Sequence, residues 1–299
     1  MSRAEINDAA SIPADAEEAP TRAADKWWRR LPGGRTLSDG RHLYWWAEVV
    51  AIVIFYLVYS AIRNANEGGE ADAFNNARQI IDWQRSLGIY HEESLQDWAL
   101  HFKPLIVMMN YFYGSLHFVV TMGVGVYLFR RSSDDYPLWR NTLAITTALA
   151  LVGFITYPLM PPRLLDAYDP GGNWGFVDTL ARYPTFWSFN SGAVSKVSNQ
   201  FAAMPSVHCA WALWCAVVMA PRMRPLWAKV LWSLYPVLTV VVIVLTGNHY
   251  VLDAVGGFIA LGLGYLLARA FTRAGRSRRA AGQATADAAA AASAAAAHP

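Results

Sequence analysis

Apolar residues gather along this chain into six stretches, at about 44 to 62, 104 to 129, 139 to 160, 205 to 220, 226 to 246 and 249 to 271. Each approaches the roughly 20 residues that a helix needs to cross a hydrocarbon core about 30 Å thick. The pattern therefore predicts six transmembrane helices, the fourth being the shortest. Between the first two, Phe74, Ala77, Ile81 and Leu87 recur near helical spacing and Gly88 follows, which predicts a short amphipathic helix stopped at that glycine. Such a helix either lies in the membrane interface or packs as an ordinary loop helix, and spacing does not choose between them. Residues 161 to 204, with Pro170, Gly171-Gly172, Pro184 and several aromatics, predict an irregular lid. Residues 1 to 43 and 273 to 299 carry no sustained apolar pattern, and the second of these is rich in Ala. Both read as disordered or marginally helical tails flanking a membrane domain at 44 to 272.

Composition agrees: of 299 residues, 55% are hydrophobic and 16% charged, too apolar a balance for an ordinary soluble domain. The fold class expected is an all-α polytopic membrane bundle. The first 40 residues are polar, so the first span should act as an uncleaved anchor. Cys209 and Cys215, six apart on one helix, suit packing better than a disulfide or a metal box. The net charge of +3 is small, and the basic residues lie beside the spans, which favours lipid headgroups over nucleic acid as a partner.

Charge also orients the chain. Of the 25 Lys and Arg residues, seven fall in the N-terminal tail, three in the connection at 130 to 140, three at 222 to 229 and five from Arg269 to Arg279 at the end of the last span and beyond it. Because such residues favour cytoplasmic loops, both termini are expected in the cytoplasm of a cell bounded by this plasma membrane. Arg163, His208, His249 and Asp253 then share the extracytoplasmic face.

Two motifs carry the chemistry, Ala203-Met-Pro-Ser-Val-His208 and Gly247-Asn-His-Tyr-Val-Leu-Asp253. His249 and Asp253 are four apart, so on a helix the carboxylate can hold one imidazole nitrogen and leave the other free. Pro205 and Ser206 suit a helix start, whose N–H groups favour an anion, and Arg163 can clasp two phosphate oxygens. The set is then an anion site flanked by two imidazoles, one able to attack phosphorus and the other to protonate the departing oxygen. Asn110, Tyr113 and His117 share a face of the second span, with His117 roughly 20 Å from its outer end. They are candidates for lining the substrate path, since an intramembrane histidine invites a functional reading. A transporter would want charged or broken helices at the midplane. Neither a His-Glu-x-x-His zinc pair nor paired histidine boxes for iron occur, and the chemistry requires no metal or cofactor.

These motifs resemble the type 2 phosphatidic acid phosphatase superfamily, and more narrowly its inositol-phosphorylceramide synthase branch. The resemblance spans roughly residues 72 to 260 and includes Asn110-Tyr-Phe-Tyr-Gly-Ser-Leu-His117 and Tyr157-Pro-Leu-Met-Pro-Pro-Arg163. It implies six helices around a phosphate pocket, His249 as a nucleophile forming a phosphohistidine, Asp253 as its orienting partner and His208 as acid and then base. It also implies Arg163 and Ser206 as phosphate ligands. Two cations of the hydrolase pattern are missing, since Thr156 stands seven before Arg163 and Ile243 six before His249. Lys196 or Arg182 could replace the lost charge. The departures tilt the expected activity from hydrolysis of a lipid phosphate toward transfer of a phosphate-linked head group, phosphoinositol being one candidate. The expected partners are a membrane lipid substrate and a polyol or lipid acceptor.

Overall fold

In the computed structural model the described residues are 33–65, 69–185 and 200–296, and they are mostly helical. A small antiparallel hairpin, β1 (Gly34–Thr36) with β2 (His42–Tyr44), runs directly into α1 (Trp45–Ala65). Then come α2 (Glu70–Ser86) and α3 (Glu92–Leu100). The next rod is continuous but uneven: α4 (Lys103–Tyr111), a π-helical turn (Phe112–Leu116) and α5 (His117–Arg131). α6 (Tyr136–Thr156) follows, then two one-turn helices, α7 (Leu165–Tyr168) and α8 (Thr179–Arg182). The chain ends with α9 (Val207–Met219), α10 (Leu226–Leu245) and α11 (Val251–Ala296).

Five of these segments are long and apolar enough to cross a membrane: Trp45–Ile62, Lys103–Arg131, Tyr136–Thr156, Leu226–Leu245 and Val251–Ser293. The expected fourth span is α9, whose 13 residues fall short of the 20 that a full crossing requires. Its position explains why it can be short. α9 packs against α5, α6, α10 and α11, and Cys209, Ala210, Ala212, Trp214, Cys215 and Val218 are all buried. A helix enclosed by protein need not match the lipid thickness. The two cysteines are free and buried.

Other boundaries move as well. α6 stops at Thr156, not near 160, because Pro158, Pro161 and Pro162 disfavour helical backbone before and at each proline. Residues 157–162 become a strap instead, with Leu159 N donating to Phe201 O and Met160 N to Ala73 O. The helix expected at 72 to 88 is α2, ended by Gly88 at φ +70°. It is a packed helix: Ala73, Ala77, Ile80 and Ile81 are buried against Leu159, Met160, Leu165 and Tyr250. Leu87, expected on that face, is exposed. The Ala-rich segment after 273 is helical in the structure. It continues α11 through Ala296 and is exposed as far as Ser293, in keeping with the high helix propensity of Ala.

Burial is unequal among the spans. Only 6% of the first is buried, against 39% of each of the last two. Lipid tails are as apolar as Leu, so helices in a bilayer associate through close packing and hydrogen bonds. α6 and α11, the most extensively contacting pair, approach closely at Gly264, where a Cβ would stand 2.3 Å from Thr146 Oγ1. Gly257 lets the first turn of α9 lie on α11, for a Cβ there would stand 2.3 Å from the Ser206 carbonyl oxygen.

Candidate active site

His249 stands in the turn between α10 and α11. That turn needs Gly247, which has φ +68° and whose Cβ would meet Gln96 Nε2 at 2.6 Å. His249 Nδ1 lies 2.9 Å from Ala203 O and 3.2 Å from Asp253 Oδ2. Both neighbours can only accept, so Nδ1 carries the proton and Nε2 presents a lone pair. Nε2 is buried with no hydrogen-bond partner among the described residues. Asp253 is fully buried, and its Oδ2 also accepts from Tyr250 N at 3.0 Å, while Oδ1 has no partner among the described residues.

The first turn of α11 is held from outside the helix. Val251 N donates to Glu92 Oε1 and Leu252 N to Gln84 Oε1, each at 3.0 Å, and Gln84 Nε2 donates to the same Glu92 oxygen. A helix start leaves N–H groups unsatisfied, and here two side chains from α2 and α3 take them. Burial pushes the Tyr250 phenol well above the ordinary tyrosine range. It therefore stays protonated and donates to Met160 O at 3.2 Å. The Asp253 carboxylate of α11 and the His249 imidazole just before it are thus fixed to the strap and to α2 and α3.

His208 lies in the first turn of α9. Its ring centroid is 5.6 Å from that of His249, 4.2 Å from that of Tyr113 in a stacked pair and 4.2 Å from that of His117. Tyr113 lies in the π-helical turn, a local widening often found at functional sites, and His117 opens α5 directly after it. His117 Nδ1 is 2.9 Å from Tyr113 O. Residues of the same rod extend fourteen positions beyond His117 toward α3, so the histidine cluster is recessed within the bundle rather than set at its lip. Helix depth alone placed His117 far from the two motifs. The tertiary structure brings all three histidines together.

Arg163 follows the strap. Its Nη1 donates to Asp178 Oδ2 at 2.7 Å, its backbone N donates to Gly247 O, and its Nε is buried without a partner among the described residues. Asp178 Oδ1 meanwhile caps α8 through Leu180 N and Ala181 N, tying the guanidinium to the segment above it. Ser206 is buried and acts as the N-cap of α9, accepting from Cys209 N at 3.4 Å. Asn110 does not line the cavity. It is buried and fastened to α8, donating to Thr179 O at 2.9 Å and accepting from Thr179 Oγ1 at 3.0 Å. Arg182 is exposed, its guanidinium over the Tyr183 ring. Lys196 lies outside the described residues.

A cavity of about 1300 Å³ begins at Arg163, Asn248, His249 and His208 and runs past Tyr113 and His117 to Glu48, Tyr136 and Arg140. Measured along α5 from His117 to Arg130, both of which line it, this is about 20 Å. Its flank is α1, through Ile52, Phe55 and Tyr56, and α1 is itself largely exposed. Reading by sequence missed Glu92, Gln84, Gln96 and Asp178. The Asp178-Thr179 pair before a short helix was a legible cap signal. The other three are polar positions on amphipathic helices, and nothing local marks them as buried.

The site and the bundle together define a helical integral membrane protein with an oriented imidazole and a guanidinium at the end of a lipid-flanked cavity. Residues 78–267 match the family model described as PAP2 superfamily, and the chain belongs to that superfamily. It is accordingly an enzyme of the phosphatase or phosphotransferase type acting on membrane lipid phosphates. No curated protein and no solved structure matches the chain. The matched range contains Arg163, the three histidines and Asp253, and it leaves out α1.

Proposed function

We propose that the protein is an inositol-phosphorylceramide synthase-like phosphotransferase that moves a phosphoryl-bearing group between lipid-linked molecules, or from one of them to a polyol such as inositol, through a phosphohistidine. One observation carries this reading: His249 Nε2, the nitrogen opposite the one held by Asp253 and the Ala203 carbonyl, is a buried lone pair without a partner. Nε2 attacks phosphorus and the P–O bond to the leaving group breaks. The departing oxygen takes a proton from His208. The acceptor hydroxyl then gives its proton to His208 and attacks the phosphohistidine, which frees Nε2. Arg163 holds phosphoryl oxygens through the guanidinium edge not bound by Asp178. The dipole at the start of α9 adds to this, with Ser206 securing that helix end.

Transfer is favoured over hydrolysis by the charge at the reactive end. Thr156 is exposed and donates to Val152 O, and Ile243 is fully buried in an apolar cluster. At the reactive end of the cavity, Arg163 is the lining cation among the described residues. A phosphodiester carries one negative charge, whereas a phosphomonoester carries about −1.5 to −2 near neutral pH. One guanidinium matches the diester better. The expected topology has both termini in the cytoplasm and the site facing the extracytoplasmic side.

The test is to incubate the purified protein with a labelled phospholipid, with and without inositol. A labelled phosphoinositol lipid, together with an acid-labile, base-stable label on His249, is the expected result. Free phosphate or a phosphomonoester as the sole product would replace transfer with the phosphatase reading.

A further inference from the structure

Glu92 is a buried carboxylate that the reaction above does not use. It is 0% exposed, and no ion pair to it occurs among the described residues. Its hydrogen-bond partners are all donors: Oε1 accepts from Val251 N at 3.0 Å and from Gln84 Nε2, and Oε2 accepts from His91 N at 3.0 Å. A carboxylic acid would need an acceptor for its own O–H, and none is bonded to it among the described residues, so the arrangement suits the anion. That anion stands at the start of α11. Three successive N–H groups there have side-chain partners: Tyr250 N donates to Asp253 Oδ2, Val251 N to Glu92 Oε1 and Leu252 N to Gln84 Oε1. Two of the three partners are carboxylates, and His249 is the residue immediately before them in the chain.

Attack on phosphorus changes the charge that His249 carries. The Nε2 lone pair becomes the N–P bond while Nδ1 keeps its proton, so the ring turns from neutral to positive as the electrons of the P–O bond leave with the departing oxygen. The Arg163 guanidinium, although paired with Asp178, and the positive starts of α9 and α11 suit a phosphate and oppose a cationic ring. Asp253 answers that charge by contact with Nδ1. Glu92 brings a second negative charge to the same helix start, in a buried setting where Coulomb interactions are stronger than in water. We infer that Glu92 is a positioning residue of the reaction, whose charge, applied at the first turn of α11, stabilises the cationic ring that His249 becomes on taking the phosphoryl group. This role rests on the phosphohistidine reading of the site.

Two variants of the full chain separate charge from contact. Glu92→Gln keeps an oxygen for Val251 N and Gln84 and loses the charge, whereas Glu92→Asp keeps the charge and, one methylene shorter, draws back from Val251 N. With the labelled phospholipid as substrate and rates taken per folded protein, Glu92→Gln is expected to lower kcat about 10-fold or more and to leave KM within about threefold. The trapped label on His249 should fall with kcat. Glu92→Asp should turn over faster than Glu92→Gln although its Tm is no higher. A residue that only holds α11 in place predicts the opposite order, since Gln retains the contact. Glu92→Gln combined with Asp253→Asn should cost at least about threefold less than the product of the separate losses, because both carboxylates act on one ring. Wild-type kcat in Glu92→Gln, slower turnover in Glu92→Asp than in Glu92→Gln, or fully multiplicative losses would each overturn the role of Glu92 and leave the reaction standing. A wild-type enzyme that turns over with no label on His249 would overturn the phosphohistidine reading and this role together.

Discussion

The cavity has a polar cluster at each end, and the two are built on opposite terms. At the far end Arg140 Nη1 sits 2.6 and 2.8 Å from the two carboxylate oxygens of Glu48, and Tyr136 Oη donates to Glu48 at 3.1 Å. The Glu48 carboxylate is paired there with Arg140, and the cluster fastens α1 to α6. At the reactive end His249 Nε2, Arg163 Nε and Asp253 Oδ1 are all buried and unpartnered among the described residues. Buried polar atoms without partners are destabilising, and a fold keeps them where a ligand supplies the missing bonds. The paired end is architecture, and the unpaired end is where chemistry is expected.

The comparison breaks most directly at the histidines. His249→Ala should lower turnover by about 10⁴-fold or more, the scale for removing a nucleophile that works in a unit, and His208→Ala by about 10² to 10⁴-fold. Both variants should still insert and elute as folded protein. Wild-type turnover in either would remove the mechanism. Asp253→Asn comes next, with a loss of about 10² to 10⁴-fold by analogy with other orienting carboxylates and a matching drop in the trapped phosphohistidine.

Arg163→Ala should cost about 10²-fold in kcat/KM, on the scale of one lost oxyanion contact, with Arg163→Lys recovering part of it. At the paired end the sign of the result changes. Glu48→Gln is expected to lower Tm by a few degrees, about 1 kcal/mol for a pair whose Arg140 side chain is 35% exposed, and to leave turnover within about threefold. If Glu48→Gln instead matched His249→Ala in its effect on turnover, the division between the two ends would fail. The smallest expected effect is that of a chelator, which should leave the rate unchanged, since the proposed steps use imidazole, guanidinium and carboxylate groups alone.

How much could be read in advance follows from the range over which each signal acts. The spans and the α2 stop at Gly88 were legible because hydropathy and turn chemistry are local. The His249–Asp253 contact was legible too, since four residues make one helical turn. α9 is the span that its own residues leave short, because enclosure by neighbouring helices is not written in them. Asn110 and His117 show the same limit from another side. They share one face of one rod, yet the first fastens α8 and the second joins the histidine cluster, because different elements pack against them.

The sequence by itself determined a polytopic helical membrane protein with a His-x-x-x-Asp pair, a Pro-Ser-x-His segment and an arginine close to a proline strap, since hydrophobic length and helical spacing are properties of short windows. Only the tertiary structure decided which polar atoms are left unpaired, that Glu92 and Gln84 hold the start of α11, and that the cavity runs along α1. Those outcomes depend on contacts between residues up to 168 positions apart. Whether a buried polar atom is satisfied is set by what packs beside it, which no local pattern encodes.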